Sequence, residues 1–272
     1  MNREQELLQK FLDILCYDFE VEIKPKLIYT EIPPEKFMGI GGVYSPEHFT
    51  IQINVFDFKT VIHEFIHHLQ FEQVGWDFEK YISQFMGGGM SAHRIAMTRE
   101  LETFAMEIAL NKIYADVISR IELRFKAEPL GQAELCRRLV KYILDDFLSK
   151  VDEELYRTEY ILETETDPLS KDILGIFLEI FDKIHGIYDW VKRTLKYTIR
   201  ACTKQWKTPE SLELNRYIAN IQYKTDDYSD ILEKAIDDYI PIPSKSEIKK
   251  KLEEIKHLHN EFRNLLLKVS PS

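Results

Sequence analysis

No stretch of eighteen uninterrupted apolar residues occurs in this chain, so it lacks the kind of segment that crosses a bilayer as a helix. It also lacks an excess of positive charge. Its 36 Lys and Arg stand against 46 Asp and Glu, a formal charge of −10, which leaves no strong basic field for holding nucleic acid. Cysteine is scarce. Cys16, Cys136 and Cys202 are odd in number, widely spaced and outside any Cys-x-x-Cys pattern, and they read as reduced thiols with neither a disulfide nor a metal. The start, Met1-Asn2-Arg3-Glu4-Gln5-Glu6, is polar and has no apolar stretch of signal-peptide form, so the expectation is a cytoplasmic protein without a membrane partner.

Glycine is thin and unevenly spread. Gly39, Gly41, Gly42, Gly75, Gly87, Gly88 and Gly89 lie before residue 90, and only Gly131, Gly175 and Gly186 follow. A turn-rich first region and a second region of long helices are therefore expected, divided as 1–126 and 127–272. The interruption at Glu128-Pro129-Leu130-Gly131 marks the boundary. The fold class expected is α+β, mostly helical: a short sheet with two site-bearing helices, followed by a helical bundle.

In the first region an amphipathic helix is predicted from about Glu4 to Phe19, and alternation suggests a strand over Val21 to Tyr29. Phe49 to Val55 is the clearest strand, with Ile51, Ile53 and Val55 on one face. Helices are predicted over Ala92 to Phe125, Gln132 to Glu163, Leu169 to Trp206 (with a kink near Gly186) and Leu212 to Tyr239. Breaks are expected at Thr166-Asp167-Pro168, Lys207-Thr208-Pro209 and Pro241-Ile242-Pro243. Ile248, Leu252, Ile255, His259, Phe262, Leu266 and Val269 alternate in spacings of four and three, a heptad seam for packing within the chain or self-association through the C-terminal helices. A polar His259 within that seam would set register.

The most informative residues are His63-Glu64-Phe65-Ile66-His67. Histidines four apart lie one above the other on a helix, so both imidazoles can reach one ion. Glu64 points about 100° further around the axis, free of the ion but able to take a proton from its water. Val61, Ile62, Phe65, Ile66 and Leu69 supply the buried stripe, Asp57 or Thr60 can cap the start, and Gly75 can stop the helix.

A catalytic zinc takes three protein ligands and leaves the fourth position to water. The continuation that places a third His six residues past the second is absent, because position 73 is Gln. A later carboxylate is the alternative, and Arg99-Glu100-Leu101-Glu102-Thr103-Phe104-Ala105 offers Glu100 and Glu102.

With this pair of segments, roughly Val43 to Ala109 resembles the gluzincin branch of the zincin metallopeptidases. The resemblance implies a zinc-dependent hydrolase cutting peptide or protein substrates, with His63, His67 and Glu100 on Zn2+ and Glu64 as general base. In that frame Thr103 is the small residue that lets the second helix approach. The competing frame uses Glu102 with Ala105. The family's second-shell acid or amide falls on Phe104 here, so the support of one histidine has no sequence counterpart. The resemblance also implies that Gly42 to Val55 runs along the cleft as an edge on which substrate pairs. Tyr44, Tyr81 and His93 are the candidates for steadying the developing oxyanion.

The remaining histidines read as secondary. His68 is on a different face from the pair, His48 lies near a strand start, and His257 and His259 project to different sides of a helix. Gly87-Gly88-Gly89 reads as a connector or as a flexible rim of the cleft. Two other functional classes remain open: a zincin-like binding protein whose metal is structural or missing, and a metal hydrolase acting on a non-peptide amide or ester.

Overall fold

The computed structural model describes residues 3–30, 41–86 and 90–269, with the side chains of 84–86 and 90–95 outside the description. The architecture is mostly helical with one small sheet, as the composition and periodicity predict. The chain divides into two compact units: residues 1–139 with Arg200–Trp206, and residues 140–199 with 207–272.

In the first unit α1 (Arg3–Asp18) buries Leu8, Phe11, Leu12 and Leu15. The predicted strand at Val21 begins later than alternation suggests. Glu20 is left-handed (φ 47°), and the Val21 amide turns back to the Cys16 carbonyl, so these residues close the helix instead of extending. Strand β1 is only Lys26–Tyr29, followed by β2 (Gly42–Ser45) and, after a 3-10 turn at Pro46–His48, β3 (Thr50–Ile53). The sheet order is β1-β3-β2, with β1 parallel and β2 antiparallel to β3, so among the described residues β2 is an edge. Ile51 and Ile53 are fully buried, and Gln52 faces outward, as the alternation predicts.

Helix α2 (Phe58–Gln73) follows at once. Asp57 caps it by accepting from the Lys59 and Thr60 amides, and Gly75, at φ 73°, provides the left-handed turn after its end. Helix α3 (Phe78–Met86) has no counterpart in the sequence reading. The predicted Ala92–Phe125 helix is two helices, α4 (Met90–Ile113) and α5 (Ala115–Glu122), separated at Tyr114. Tyr114 is fully buried, and its hydroxyl donates to Asp18 at 2.8 Å.

The first compact unit runs past residue 126. Residues up to Leu139 stay with the first unit, because Asp18 also accepts from the amides of Leu130 (3.1 Å) and Gly131 (2.7 Å). Helix α6 (Gln132–Ile143) therefore spans the division. The expectation of three reduced cysteines is corrected as well: Cys136 and Cys202 form a disulfide, and only Cys16 is free. They are 66 residues apart, and no spacing rule links them; α8 (Lys171–Thr203) brings Cys202 back to α6.

In the second unit a π-helical turn at Leu144–Leu148 precedes α7 (Ser149–Thr164), and α8 runs through Gly186 without a break. Helix α9 (Pro209–Ile236) opens with a capping box between Thr208 and Ser211. Helix α10 (Lys245–Val269) buries Ile248, Leu252, Ile255, His259, Phe262 and Leu266 against α9 and α7, so the heptad seam is satisfied within the chain. His259 is fully buried, bonded to the Tyr188 hydroxyl (2.8 Å) and to Asp152 (3.0 Å).

Candidate metal centre

Helices α2 and α4 pack side by side and bring His63, His67 and Glu100 together. One ligand atom from each lies within 4.8 Å of the others, the sole such group found among the described residues. Both imidazoles turn Nε2 toward Glu100: His67 at 3.4 Å from one carboxylate oxygen, His63 at 3.6 Å from the other. A tetrahedral ion with bonds of about 2.0 Å would hold its ligand atoms about 3.3 Å apart, so these separations suit a shared zinc-sized cation better than direct hydrogen bonds.

The far side of each ring is held. His63 Nδ1–H donates to Glu107 Oε2 at 2.8 Å, and Lys59 closes on the other Glu107 oxygen at 3.0 Å. His67 Nδ1–H donates to Gln70 Oε1 at 3.0 Å. Gln70 is oriented in turn by giving its amide hydrogens to the Arg99 carbonyl (3.1 Å) and Thr103 Oγ1 (3.0 Å). Outer contacts of this kind fix which nitrogen faces an ion and make it a better ligand.

Glu107 and Gln70 have no place in the sequence reading. The signals were available in spacing: Glu107 is seven residues past Glu100, two turns on along the same face, and Gln70 is three past His67. Position 104 holds a half-exposed Phe104 ring, edge-on to His63 with centroids 5.4 Å apart. Glu107 thus supplies the histidine support missing at 104. Thr103 is fully buried at the helix contact, as the close approach requires. Glu102 turns away and meets Arg99 at 3.5 Å.

The electrostatics are consistent with a cation site. His63 is burdened by burial, yet the carboxylates of Glu100 and Glu107 on its two nitrogens raise it to about 9. Only a positive charge at that ring satisfies both acids: a proton, or a metal ion replacing it at Nε2. His67 is shifted down by burial and stays neutral, the form a ligand needs. Glu100 is held low by His63, against its own desolvation.

Glu64 stands beside the cluster, buried, and its carboxyl is raised to about 7. Burial is the main cause, partly offset by His63 and reinforced by the charge of Glu100. The Tyr44 amide of β2 donates to it. Two contiguous clefts meet here. One, of about 380 Å³, is lined by Gly41, Lys59, Thr60, Phe104 and Glu107; the other, of about 340 Å³, by Val43, Tyr44, Tyr81, Ile82 and Glu100. His63, Glu64 and Gly42 line both.

The other candidates separate clearly. His68 is fully buried and structural: Nε2–H donates to the Ile23 carbonyl at 2.7 Å, so Nδ1 accepts the Tyr44 hydroxyl at 3.0 Å. That bond commits Tyr44. Tyr81 lines the cleft, and burial, with Glu64 and Glu100 nearby, keeps its hydroxyl protonated. The side chain of His93 and the Gly87–Gly89 segment lie outside the described residues. His48 and His257 are exposed and belong to no ligand cluster. None of the described helices is long and apolar enough to cross a membrane. No family model, no curated protein and no solved structure matches the chain, so the site's own chemistry is what bears on function.

Proposed function

We propose that this protein is a zinc-dependent metallopeptidase of gluzincin type, with His63, His67 and Glu100 holding the ion and Glu64 serving as general base. The observation that carries the reading is the convergence of two Nε2 atoms and one carboxylate on a common point, with a buried acid beside it that is not part of the set. A bound zinc ion would supply Lewis-acid polarisation of the scissile carbonyl and a water acidic enough to deprotonate near neutral pH.

The protein's own groups account for the remainder. Glu64, with a carboxyl poised near 7, takes a proton from the attacking water and returns it to the leaving amine. Tyr81, kept protonated, is the residue we assign to hydrogen-bond the carbonyl oxygen as charge builds there. The outer edge of β2 gives an extended peptide a backbone partner along the cleft. Lys59 and Glu107 stay off the substrate and hold His63 in place.

A purely structural metal would call for a fourth protein ligand, and the described residues bring three. The clefts on both sides of Glu64 leave room for a substrate, which favours the hydrolase over a closed structural site. Peptide over other amides or esters rests on the β2 edge alone. Cytoplasmic residence belongs to the same proposal.

The test is zinc-loaded protein incubated with unfolded-protein and peptide substrates, alongside Glu64→Gln at equal zinc content. Cleavage by the parent and its loss of several orders of magnitude in the variant supports the reading. Equal cleavage by both, or none by a fully zinc-loaded parent across the substrate panel, refutes it.

A further inference from the structure

Residues Arg200–Trp206 belong to the first unit, although the chain on either side, 140–199 and 207–272, forms the second. This short segment is anchored on the last turn of α2. Arg200 Nε donates to Glu72 Oε1 at 2.6 Å, and Trp206 Nε1 donates to the same oxygen at 3.1 Å. Both charged side chains are nearly buried, at 6% exposure for Arg200 and 11% for Glu72. The second oxygen of Glu72 is buried without a hydrogen-bond partner, so the carboxylate depends on these two donors. Lys204 pairs with Glu20 at 2.5 Å, and Gln132 donates to the Cys202 carbonyl at 3.4 Å. In the middle of the segment Cys202 is bonded to Cys136 of α6, with Cα atoms 4.8 Å apart, an ordinary span for such a bridge.

We propose that the Cys136–Cys202 bond is a redox-operated clasp: closed, it holds Arg200–Trp206 against the C-terminal turn of α2, and opened by a dithiol reductant it releases that turn. The two sulfurs differ in access. Cys136 is fully buried, whereas Cys202 is half-buried. A thiolate of the reductant attacks Cys202 Sγ, the S–S bond breaks, and Cys136 leaves as a thiolate that takes up a proton. The reductant's second thiol then attacks the mixed disulfide, freeing Cys202 as a thiol. Two electrons pass to the protein pair, and the reductant ends as a disulfide. Re-oxidation is the reverse exchange with an external disulfide. Cys16, buried and with its thiol pushed up to about 12, stays out of the exchange.

The consequence of opening follows from chain entropy and burial. The bridge closes a loop of 66 residues, so its loss returns considerable freedom to the segment. An ion pair as buried as Arg200 with Glu72 becomes costly once one partner wanders, because the carboxylate left behind must find water. The last turn of α2, six residues beyond His67 at most, is where that rearrangement falls. The clasp does not require α2 to bind a metal, so it stands or falls separately from the proposed hydrolase.

The experiment is performed on the full-length protein. Thiols are counted by maleimide labelling and mass spectrometry after air oxidation, and backbone hydrogen exchange is followed with and without dithiothreitol. The expected result is no reactive thiol in the folded, air-oxidised protein, one (Cys16) after unfolding without reductant, and three after unfolding with reduction. Reduction should then speed exchange in Phe71–Gln73 and Arg200–Trp206 by about tenfold or more, with the centre of α4 unchanged. Cys202→Ser should resemble the reduced protein. If that variant fails to fold, the parent protein compared with and without dithiothreitol carries the test by itself. Three thiols in the air-oxidised protein unfolded without reductant, or identical exchange of both stretches in the two redox states, overturns the proposal.

Discussion

His63 turns its Nδ1 to Glu107, a carboxylate two helical turns beyond Glu100 on α4, across 2.8 Å. Glu107 is at the same time the partner of Lys59, one turn before His63 on α2. Removing the charge while keeping the shape tests this arrangement: Glu107→Gln should weaken zinc binding about 10–100-fold, the usual effect of losing an outer partner of a ligating imidazole. Competition with a chromophoric chelator would measure it. Unchanged affinity would mean that the contact does not support the ring.

Glu100 and Glu102 are separated by the same assay. Glu100→Gln should lower zinc affinity by more than about 100-fold, exceeding the outer-partner effect because the proposed direct ligand is lost. Glu102→Gln should bind zinc as the parent does, since Glu102 faces Arg99. The reverse order would reassign the third ligand.

At Gly42, β2 lies close against α2. A Cβ there would lie 2.8 Å from Thr60 Cγ2, 2.9 Å from the Gln52 carbonyl oxygen and 3.1 Å from Glu64 Cγ. The Gln52 oxygen is backbone of the paired strand and cannot rotate aside. Gly42→Ala should therefore cost about 1–3 kcal/mol, the range for overpacking, as read by urea denaturation. At Gly41 the nearest atom is the Thr60 hydroxyl at 3.0 Å, a side chain that can yield, and Gly41→Ala should cost less. Equal stability of Gly42→Ala and the parent would contradict the close packing.

His259 gives a pH signature. Burial lowers its pKa below 6.5, with Asp152 pulling it up and Arg263 pushing it down. The unfolded chain therefore binds a proton at a higher pH than the folded one. Stability contributed by neutral His259 is complete above pH 6.5 and is lost as pH falls from there toward the folded value. His68, lowered by burial to about 4, acts in the same direction. His259→Gln should flatten the fall in denaturation midpoint between pH 7 and pH 5 without abolishing it. An unchanged slope would show that His259 is not titrating differently in the two states.

What the sequence disclosed and what it withheld divide along a physical line. The caps and stripe of α2, the alternation of β3 and the heptad seam of α10 are local patterns, and each is found with small shifts at its ends. The carboxylate beside the two histidines stayed open between Glu100 and Glu102 in the sequence, because only the packing of α2 on α4 brings Glu100 to them. Glu107 and Gln70 were missed because their role is to satisfy nitrogens that only tertiary packing orients. The Cys136–Cys202 pair was missed because nothing local ties residues 66 apart. Val21 to Lys24 alternates like a strand, but a helix-closing turn and the bond from His68 to Ile23 engage that backbone first.

The cross-links behind the imidazoles have a kinetic corollary. With His67 braced by Gln70 and His63 by Glu107, both rings are aimed before any cation arrives. Capture of the proposed zinc would then involve little rearrangement of the polypeptide, so its speed would be governed by how quickly the incoming ion sheds its hydration shell and His63 gives up its proton. Metals that exchange water rapidly would load fastest, whichever one is finally retained.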